Sequence, residues 1–377
     1  MILNKKFILI SVLVIFSQCD YIEIPKDSTP YVSNMLRKVK TYNVPQFDIN
    51  LDLNPFDRWR EPTEKFIDQI HVVHKTILSF IPWTVRAIFW VTVQIMENRH
   101  SYPGTLGELT DTLYMEFKGM ANITGLPVYE VMATNFVYEL LSHCTSIISL
   151  DHDGDIIHAR NNDYPIYKSL KDDTFEAHFH KNGELIFKAT MSGGSPCPYT
   201  VMKPGKFGIS INARYQNTFL GVFRSMFRYF TSAYNPGSLA KYVGEHANSY
   251  EEAKEMLMNM QLTSPCYFIL SGVEPNEGVI ITRRRDGADD LWYINPDSKL
   301  NWSIYQTNYD HWVEPAPERD EERAASTKNA LESLGTNKMN SKRLIKILQK
   351  PPVMRESTIY AVSMSAKKNY YKTYRYI

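Results

Sequence analysis

From position 144 onward the chain is cut into short strand-like runs by turn residues, and that rhythm constrains the fold more than any other feature. "CTSIISL" and "DIIHAR" flank the turn-rich "DHDGD". "FEAHFH" and "ELIFKAT" flank "KNG", whose Asn182-Gly183 pair is a strong two-residue hairpin signal. "KFGISINARY", "CYFILSG", "GVIITRR", "DLWYI", "WSIYQTN", "STIYAVSMS" and "NYYKTYRYI" continue the series. Helices interrupt it. One starts at Ser249, where "SYEEAKEMLMNM" sets Glu252 at capping-box spacing, and others run over about 321–334 and 341–348. Consecutive strands joined by short turns pair antiparallel, and helices between them cover the faces, so the reading is an α+β layered fold.

Upstream the texture is different. Residues from about 25 to 143 read mainly as helix, with Phe66, Ile67, Ile70, Val73, Ile77 and Phe80 at helical spacing in "EPTEKFIDQIHVVHKTILSFI". Pro82 breaks that pattern, and an apolar stretch follows at 87–96. It is about half the length a bilayer span needs, which leaves a buried helix or one resting on a lipid surface. "LPVYEVMATNFVYELLSH" opens with Pro127 near its first turn and leads straight into Cys144. At the N-terminus, Lys5 and Lys6 precede the apolar run 7–16 and then "SQCD", the layout of a signal peptide over 1–19 removed near Cys19. No internal repeat or low-complexity segment is visible.

With 377 residues the chain can bury one large core or two intimate ones, and its net charge of +1 gives no general pull toward nucleic acid. The secretory reading bears on the four cysteines. Once Cys19 leaves, Cys144, Cys197 and Cys266 remain, an odd set in an oxidising compartment. The sequons "NIT" at Asn122 and "NWS" at Asn301 fit the same route, toward a lysosome-like or an extracellular destination.

Cys144 therefore has three readings: a small buried hydrophobe, half of a disulfide with Cys197 or Cys266, or a nucleophile. The hairpin narrows the choice. A turn centred on His152 sets Cys144 opposite Arg160; one centred on Asp153-Gly154 sets it opposite Asp163. Opposed residues share a face with Cβ atoms about 5 Å apart, so either register places a charge beside the thiol. Elsewhere, His178 and His180 in "HFH" share a strand face, but no third ligand stands at metal spacing, and exposed strand histidines are the expectation. Arg283, Arg284 and Arg285 read as a solvated hairpin end before Asp286-Gly287.

"CTSI", "HARNNDYP", "TRRRDG" and "QTNYDHW", in that order, resemble the catalytic-chain motifs of the acid ceramidase and N-acylethanolamine-hydrolysing acid amidase family, and "INLDLNPFDRW" at 49–59 resembles the opening of its other chain. The resemblance runs from about residue 45 to the C-terminus. It implies an N-terminal-nucleophile hydrolase: an αββα sandwich of antiparallel sheets that cuts itself at His143–Cys144. A helical α-chain, 20–143, would stay associated with a catalytic β-chain, 144–377, as a heterodimer. Cys144 would carry both the thiol and its own amine base, Asp163 would orient that amine, and Arg160 would favour thiolate or hold the site's hydrogen bonds. Asn308 would donate to the oxyanion. Arg323 matches the first of two family arginines, the second being Ala324 here. No cofactor or metal is implied. "NNDYP", "FHKNGELIF", "RDGADDLW" and "TNYDHWVEPAP" look closer to the N-acylethanolamine branch, and the C-terminal cysteine pair of ceramidases is absent. The substrate implied is a lipid amide, with ceramide second, a weakened lipid binder third, and docking to a lipid surface through 87–96. One departure stands out: "ISINARY" has Ala213 where the family often has glutamate before the arginine.

Overall fold

The strand-like runs form two sheets laid face to face in the computed structural model, which describes residues 41–80, 108–214, 233–298 and 301–376 and isolated positions within 83–94 and at 228. The signal-peptide segment 1–19 and Cys19 lie outside the described residues. The strands are β1 (Thr41–Tyr42), β2 (Gln46–Asn50), β3 (His143–Leu150), β4 (Ile156–Asp163), β5 (Thr174–Lys181), β6 (Glu184–Ser192) and β7 (Thr200–Lys203). They continue with β8 (Phe207–Ala213), β9 (Cys266–Ser271), β10 (Gly278–Arg283), β11 (Ala288–Tyr293), β12 (Ser303–Gln306), β13 (Thr358–Ser365) and β14 (Tyr370–Tyr376). The described helices are α1 (Arg60–Lys65), α2 (Ile67–Phe80), α3 (Glu108–Thr124), α4 (Val128–Leu141), α5 (Tyr167–Leu170), α6 (Pro236–His246), α7 (Tyr250–Asn259), α8 (Glu318–Leu334) and α9 (Ser341–Leu348).

One sheet has six strands in the order β1-β14-β13-β4-β3-β12, the other eight in the order β11-β10-β9-β8-β7-β6-β5-β2. All pairings are antiparallel except β2 on β5. Helices α8 and α9 lie against β12, β4 and β13, while α6 and α7 lie against β6 to β10. The two faces of β4 show the layering directly: Asn161 Nδ2 donates to Leu348 O of α9, whereas Arg160 Nη1 donates to Thr200 Oγ1 of the other sheet. The result is a helix–sheet–sheet–helix sandwich. β3 and β4, covered on both faces, are buried at every position, which is why their sequences read as continuous runs rather than alternating ones.

The β3–β4 register differs from both sequence expectations. Cys144 stands opposite Asn162, with Arg160 opposite Ser146 and Asp163 opposite His143. The connecting loop is closed by Asp151, whose Oδ1 accepts from the N–H groups of Asp153 and Asp155 at 3.0 Å each, and by Gly154 at φ 80°. This side-chain turn centres the hairpin on Asp153. The "KNG" turn forms as read, with Asn182 at φ 52° and Gly183 at φ 79°.

Other expectations need amendment. The upstream region contains β1 and β2 as well as helices; Phe47 and Ile49 alternate inward along β2, a period-two signal too short to stand out. Thr200–Lys203 forms a strand that the series of strand-like runs did not include. Arg283 is not solvated: it is fully buried and its guanidinium caps the carbonyls of Leu257 and Met260 at the end of α7. Arg284 is exposed. His178 and His180 are half-buried rather than exposed, facing Asp48 of β2 at 4.0 and 3.1 Å. Cys144, Cys197 and Cys266 are buried, and no disulfide joins them to one another. In the segment within 83–94, Phe89 and Val93 are buried while Trp83 and Trp90 are 63% and 50% exposed. No helix among the described residues is long and apolar enough to cross a membrane.

Residues before Cys144 are tied into the sandwich by apolar and ionic contacts. Phe66 stacks on Phe175 of β5 at 5.7 Å, and Trp59 meets Phe179 edge-on at 5.9 Å. Glu116 of α3, only 1% exposed, pairs with Lys241 of α6 and with Arg58 at 3.5 Å. Removing one member of a buried ion cluster leaves charge uncompensated, so Lys241→Met is expected to cost about 3 kcal/mol of stability in urea unfolding. Lys241→Met/Glu116→Leu should recover most of it; equal loss in both would show that the ion pair is not what holds this seam.

Candidate active site

The short α4 ends at Leu141, Ser142 turns extended at φ −72°, ψ 135°, and β3 begins at His143. Cys144, the second residue of β3, is completely buried. Its side chain points between the sheets, on the same face as Asn162 and, one diagonal step away, Arg160. Arg160 Nη2 donates to the sulfur at 2.6 Å and to Asn162 Oδ1 at 3.1 Å; Nη1 donates to Tyr199 O at 2.8 Å and Thr200 Oγ1 at 3.1 Å. The Cys144 thiol donates to Asn162 Oδ1 at 3.3 Å. This fork geometry fixes a guanidinium that is itself fully buried against the Tyr360 ring, 5.8 Å from its centroid.

The backbone of Cys144 is gripped as firmly as its sulfur. β12 stops pairing with β3 at Gln306 opposite Ser146. Two residues further on, the side chain of Asn308 replaces the ladder, its Oδ1 accepting from the Cys144 N–H at 2.9 Å. Arg323 of α8 donates from Nη1 to Cys144 O at 3.0 Å and from Nη2 to Asn308 Oδ1 at 2.9 Å. Asp320, one helical turn earlier, pairs with Arg323 and accepts from the Asn308 backbone N–H at 3.2 Å. Asp163 lies on the other face of β4 from Arg160, accepts from Thr358 Oγ1 at 2.6 Å and stands 3.9 Å from Arg323.

The five candidate residues thus converge around one peptide unit, along with His143. Two details differ from the expected roles. In the continuous chain Asn308 accepts from the Cys144 nitrogen, and its own Nδ2 donates to Ala213 O at 2.8 Å. Burial pushes the Cys144 thiol up from its ordinary value; Arg160 acts against this, Asp163 adds to it, and Arg323 again lowers it. Desolvation wins. Sequence reading missed Asn162 and Asp320, although Asn162 sits inside "HARNND" and Asp320 lies at helical spacing from Arg323. Below the site, His158 lies between Ser271 Oγ at 3.0 Å and Ser210 Oγ at 2.8 Å, and burial, then Arg160, lowers it to about 3. It is a neutral packing and hydrogen-bonding group.

Comparison with known proteins gives the site its context. Residues 144–340 match the family described as linear amide C-N hydrolases, choloylglycine hydrolase family. Residues 42–99 match the beta subunit of N-acylethanolamine-hydrolyzing acid amidase, so that description gives the opposite letter to the stretch labelled α-chain above. The chain is 32% identical over 352 residues to an acid ceramidase of Heterocephalus glaber, covering 88% of this chain and 86% of that protein. It is 31% identical over 346 residues to an acid ceramidase of Mus musculus, with the same coverage of 88% and 86%. The structure of a Caenorhabditis elegans N-acylethanolamine-hydrolyzing acid amidase ortholog superposes with a TM-score of 0.53 at 28% identity, over 59% of this chain and 93% of that one. A buried cysteine at the start of the matched amide-hydrolase region and identity sustained across most of the chain lead to one conclusion: this chain belongs to the acid ceramidase and N-acylethanolamine-hydrolysing acid amidase family and is a hydrolase of amide bonds.

Proposed function

We propose that the chain cuts itself at His143–Cys144 and then hydrolyses fatty-acid amides, N-acylethanolamines first, with Cys144 as an N-terminal nucleophile. The observation that carries this reading is the Cys144 peptide unit itself: sulfur, nitrogen and carbonyl are each held by a buried polar side chain. Any buried residue needs its backbone N–H and C=O paired, but a cysteine kept only for packing needs no guanidinium at its sulfur.

In self-cleavage the Cys144 sulfur attacks the His143 carbonyl carbon, the C–N bond to Cys144 breaks, and the nitrogen takes up a proton. Water then opens the thioester, giving a carboxyl at His143 and a free thiol and amine at Cys144. An α-amine has a reference pKa of about 8, close enough to neutrality to serve as base for its own thiol. Asp163, which stands opposite His143, would hold the new ammonium as Asn308 holds the nitrogen beforehand. In hydrolysis the thiolate attacks the amide carbonyl, the amine leaves with the proton from the α-ammonium, and water releases the fatty acid from the thioester. Arg160 opposes the desolvation of the thiolate, and Arg323 holds the Cys144 carbonyl. The Asn308 amide, oriented by Ala213, supplies an oxyanion donor, a role whose loss typically costs about 3 kcal/mol.

The two pieces would stay together as a heterodimer through the Phe66–Phe175, Trp59–Phe179 and Glu116–Lys241 contacts. Asn122 and Asn301 are exposed, as glycan acceptors on a secretory route, lysosomal or extracellular, must be. Trp83 and Trp90, seven residues apart and both exposed, would rest on a lipid surface. Ceramide is the second reading, favoured by the identity to acid ceramidases.

The test is product analysis at acid pH with N-palmitoylethanolamine and N-palmitoylsphingosine, each offered in detergent and in vesicles. Palmitate and ethanolamine in excess support the first reading; sphingosine in excess replaces it with the second. No fatty acid from either would leave a lipid binder. Trp83→Glu/Trp90→Glu should slow the vesicle reaction roughly tenfold, the value of about 1.4 kcal/mol of lost apolar burial, and spare the detergent reaction. Equal slowing in both media would remove the docking role.

A further inference from the structure

Ala213, where the resemblance implies glutamate, is also where β8 meets the turn that carries Asn308. Three consecutive residues of β8 and its end touch that turn in three ways. Asn212 Nδ2 donates to Gln306 O at 2.8 Å and Thr307 O at 3.0 Å. Ala213 O accepts from Asn308 Nδ2 at 2.8 Å. Arg214 donates from Nε to Asp310 Oδ1 at 2.8 Å and from Nη2 to Asp310 Oδ2 at 2.6 Å, a bidentate clamp.

We propose that Asn212, Ala213 and Arg214 form a template that shapes the turn Gln306–Asp310, with Asn212 and Arg214 as positioning residues for Asn308. This deepens the functional reading above and rests on it for the role of Asn308. Both flanks of the template are themselves held. Asn212 Oδ1 accepts from Ser146 Oγ at 2.8 Å, two residues along β3 on the same face as Cys144. Asp310 accepts a further bond from Tyr267 OH at 2.6 Å, and Arg214 Nη1 reaches Asp289 at 2.5 Å. Desolvation opposes the Arg214 cation, but Asp310 and Asp289 outweigh it and hold the guanidinium firmly protonated. Gln306 closes the turn from inside by donating to Tyr309 O at 2.7 Å.

The arrangement gives Ala213 its meaning. The position contributes a backbone carbonyl, which any residue supplies, and its neighbour Arg214 takes its carboxylate partners from Asp310 and Asp289 rather than from the preceding side chain. The strand end contacts the turn at Gln306, Thr307, Asn308 and Asp310, while Asp320 and Arg323 of α8 hold Asn308 from the other side. Loosening one contact should shift the Asn308 amide without disturbing the sulfur, which Arg160 and Asn162 hold from β4.

The experiment compares Arg214→Met, Arg214→Lys and Arg214→Met/Asp310→Met for kcat, KM and thermal midpoint with the preferred amide. A displaced amide donor affects the transition state, so kcat should fall about 30-fold in Arg214→Met with KM unchanged, within the range that small misplacements cost. Arg214→Lys should retain part of the rate. The double variant should regain part of its thermal stability, because Arg214 and Asp310 are both neutralised and Asp289 keeps Arg284, while its kcat stays low. A second arm is independent of any substrate: hydrogen exchange at the residue-144 amide in an uncut Cys144→Ala chain. That amide bonds to Asn308, and Arg214→Met should speed its exchange about 100-fold while Ile147 and Ile148 stay protected. Return of kcat together with stability in the double variant, or unchanged exchange at residue 144, overturns the proposal. If the parent cleaves no amide, the functional reading fails and the exchange arm alone decides the template.

Discussion

A Cys144→Ala chain is expected to run as one full-length band after acidification and to lose at least about 10⁴-fold of amide hydrolysis, since removing a nucleophile collapses the whole unit that works with it. The substitution takes away Sγ and little else. The Cys144 N–H still reaches Asn308, and the carbonyl still accepts from Arg323, because both are backbone groups. Arg160 keeps Asn162, Tyr199 O and Thr200 as partners. Folding should therefore survive, and the loss can be assigned to chemistry. Denaturing electrophoresis and fatty-acid release measure the two arms. Two chains appearing from Cys144→Ala, or residual hydrolysis above a hundredth of the parent, would sink the nucleophile assignment. Cys144→Ser separates the steps further: a hydroxyl is a poorer nucleophile at the same position, so slow cleavage with little turnover is the expected pattern.

How the site could be read from sequence follows from which forces are local. The β3–β4 hairpin was legible because period and turn residues are neighbours in the chain. Its register was not, because one side chain, Asp151, closes the loop through Asp153 and Asp155. The consequence was limited: a shift of register moved the residue opposite Cys144 to Asn162, yet Arg160 still reaches the sulfur diagonally. Arg283 was misread because "RRRDG" looks like a solvated charge run, whereas the last position of β10 turns one arginine under the end of α7. The sequence reading did not include α6, which Asn235 caps through Oδ1 accepting from Ser238 N and Pro236 opens. The roles of Asn308 and Arg323 came from motif resemblance. Their contacts with Cys144 span more than 160 positions, and no local periodicity reports on pairs so distant.

Arg323 carries the second large effect, and it acts on fold and site together. It is fully buried, as is Asp163, and Asp320 is 3% exposed. Arg323→Met leaves both carboxylates without their guanidinium, and breaking a buried ion cluster in this way costs about 3–5 kcal/mol. Urea unfolding measures it. Arg323→Lys should not restore the parent, since a single ammonium cannot bridge the Cys144 carbonyl and Asn308 Oδ1 at once. Arg323→Met/Asp320→Leu tells the two roles apart. Neutralising Asp320 should return part of the stability, but the Cys144 carbonyl and the Asn308 oxygen still lack their donor. A stable double variant that cuts itself at the parental rate would reduce Arg323 to a scaffold residue. One that folds and stays uncut would place the guanidinium in the geometry of the scissile bond.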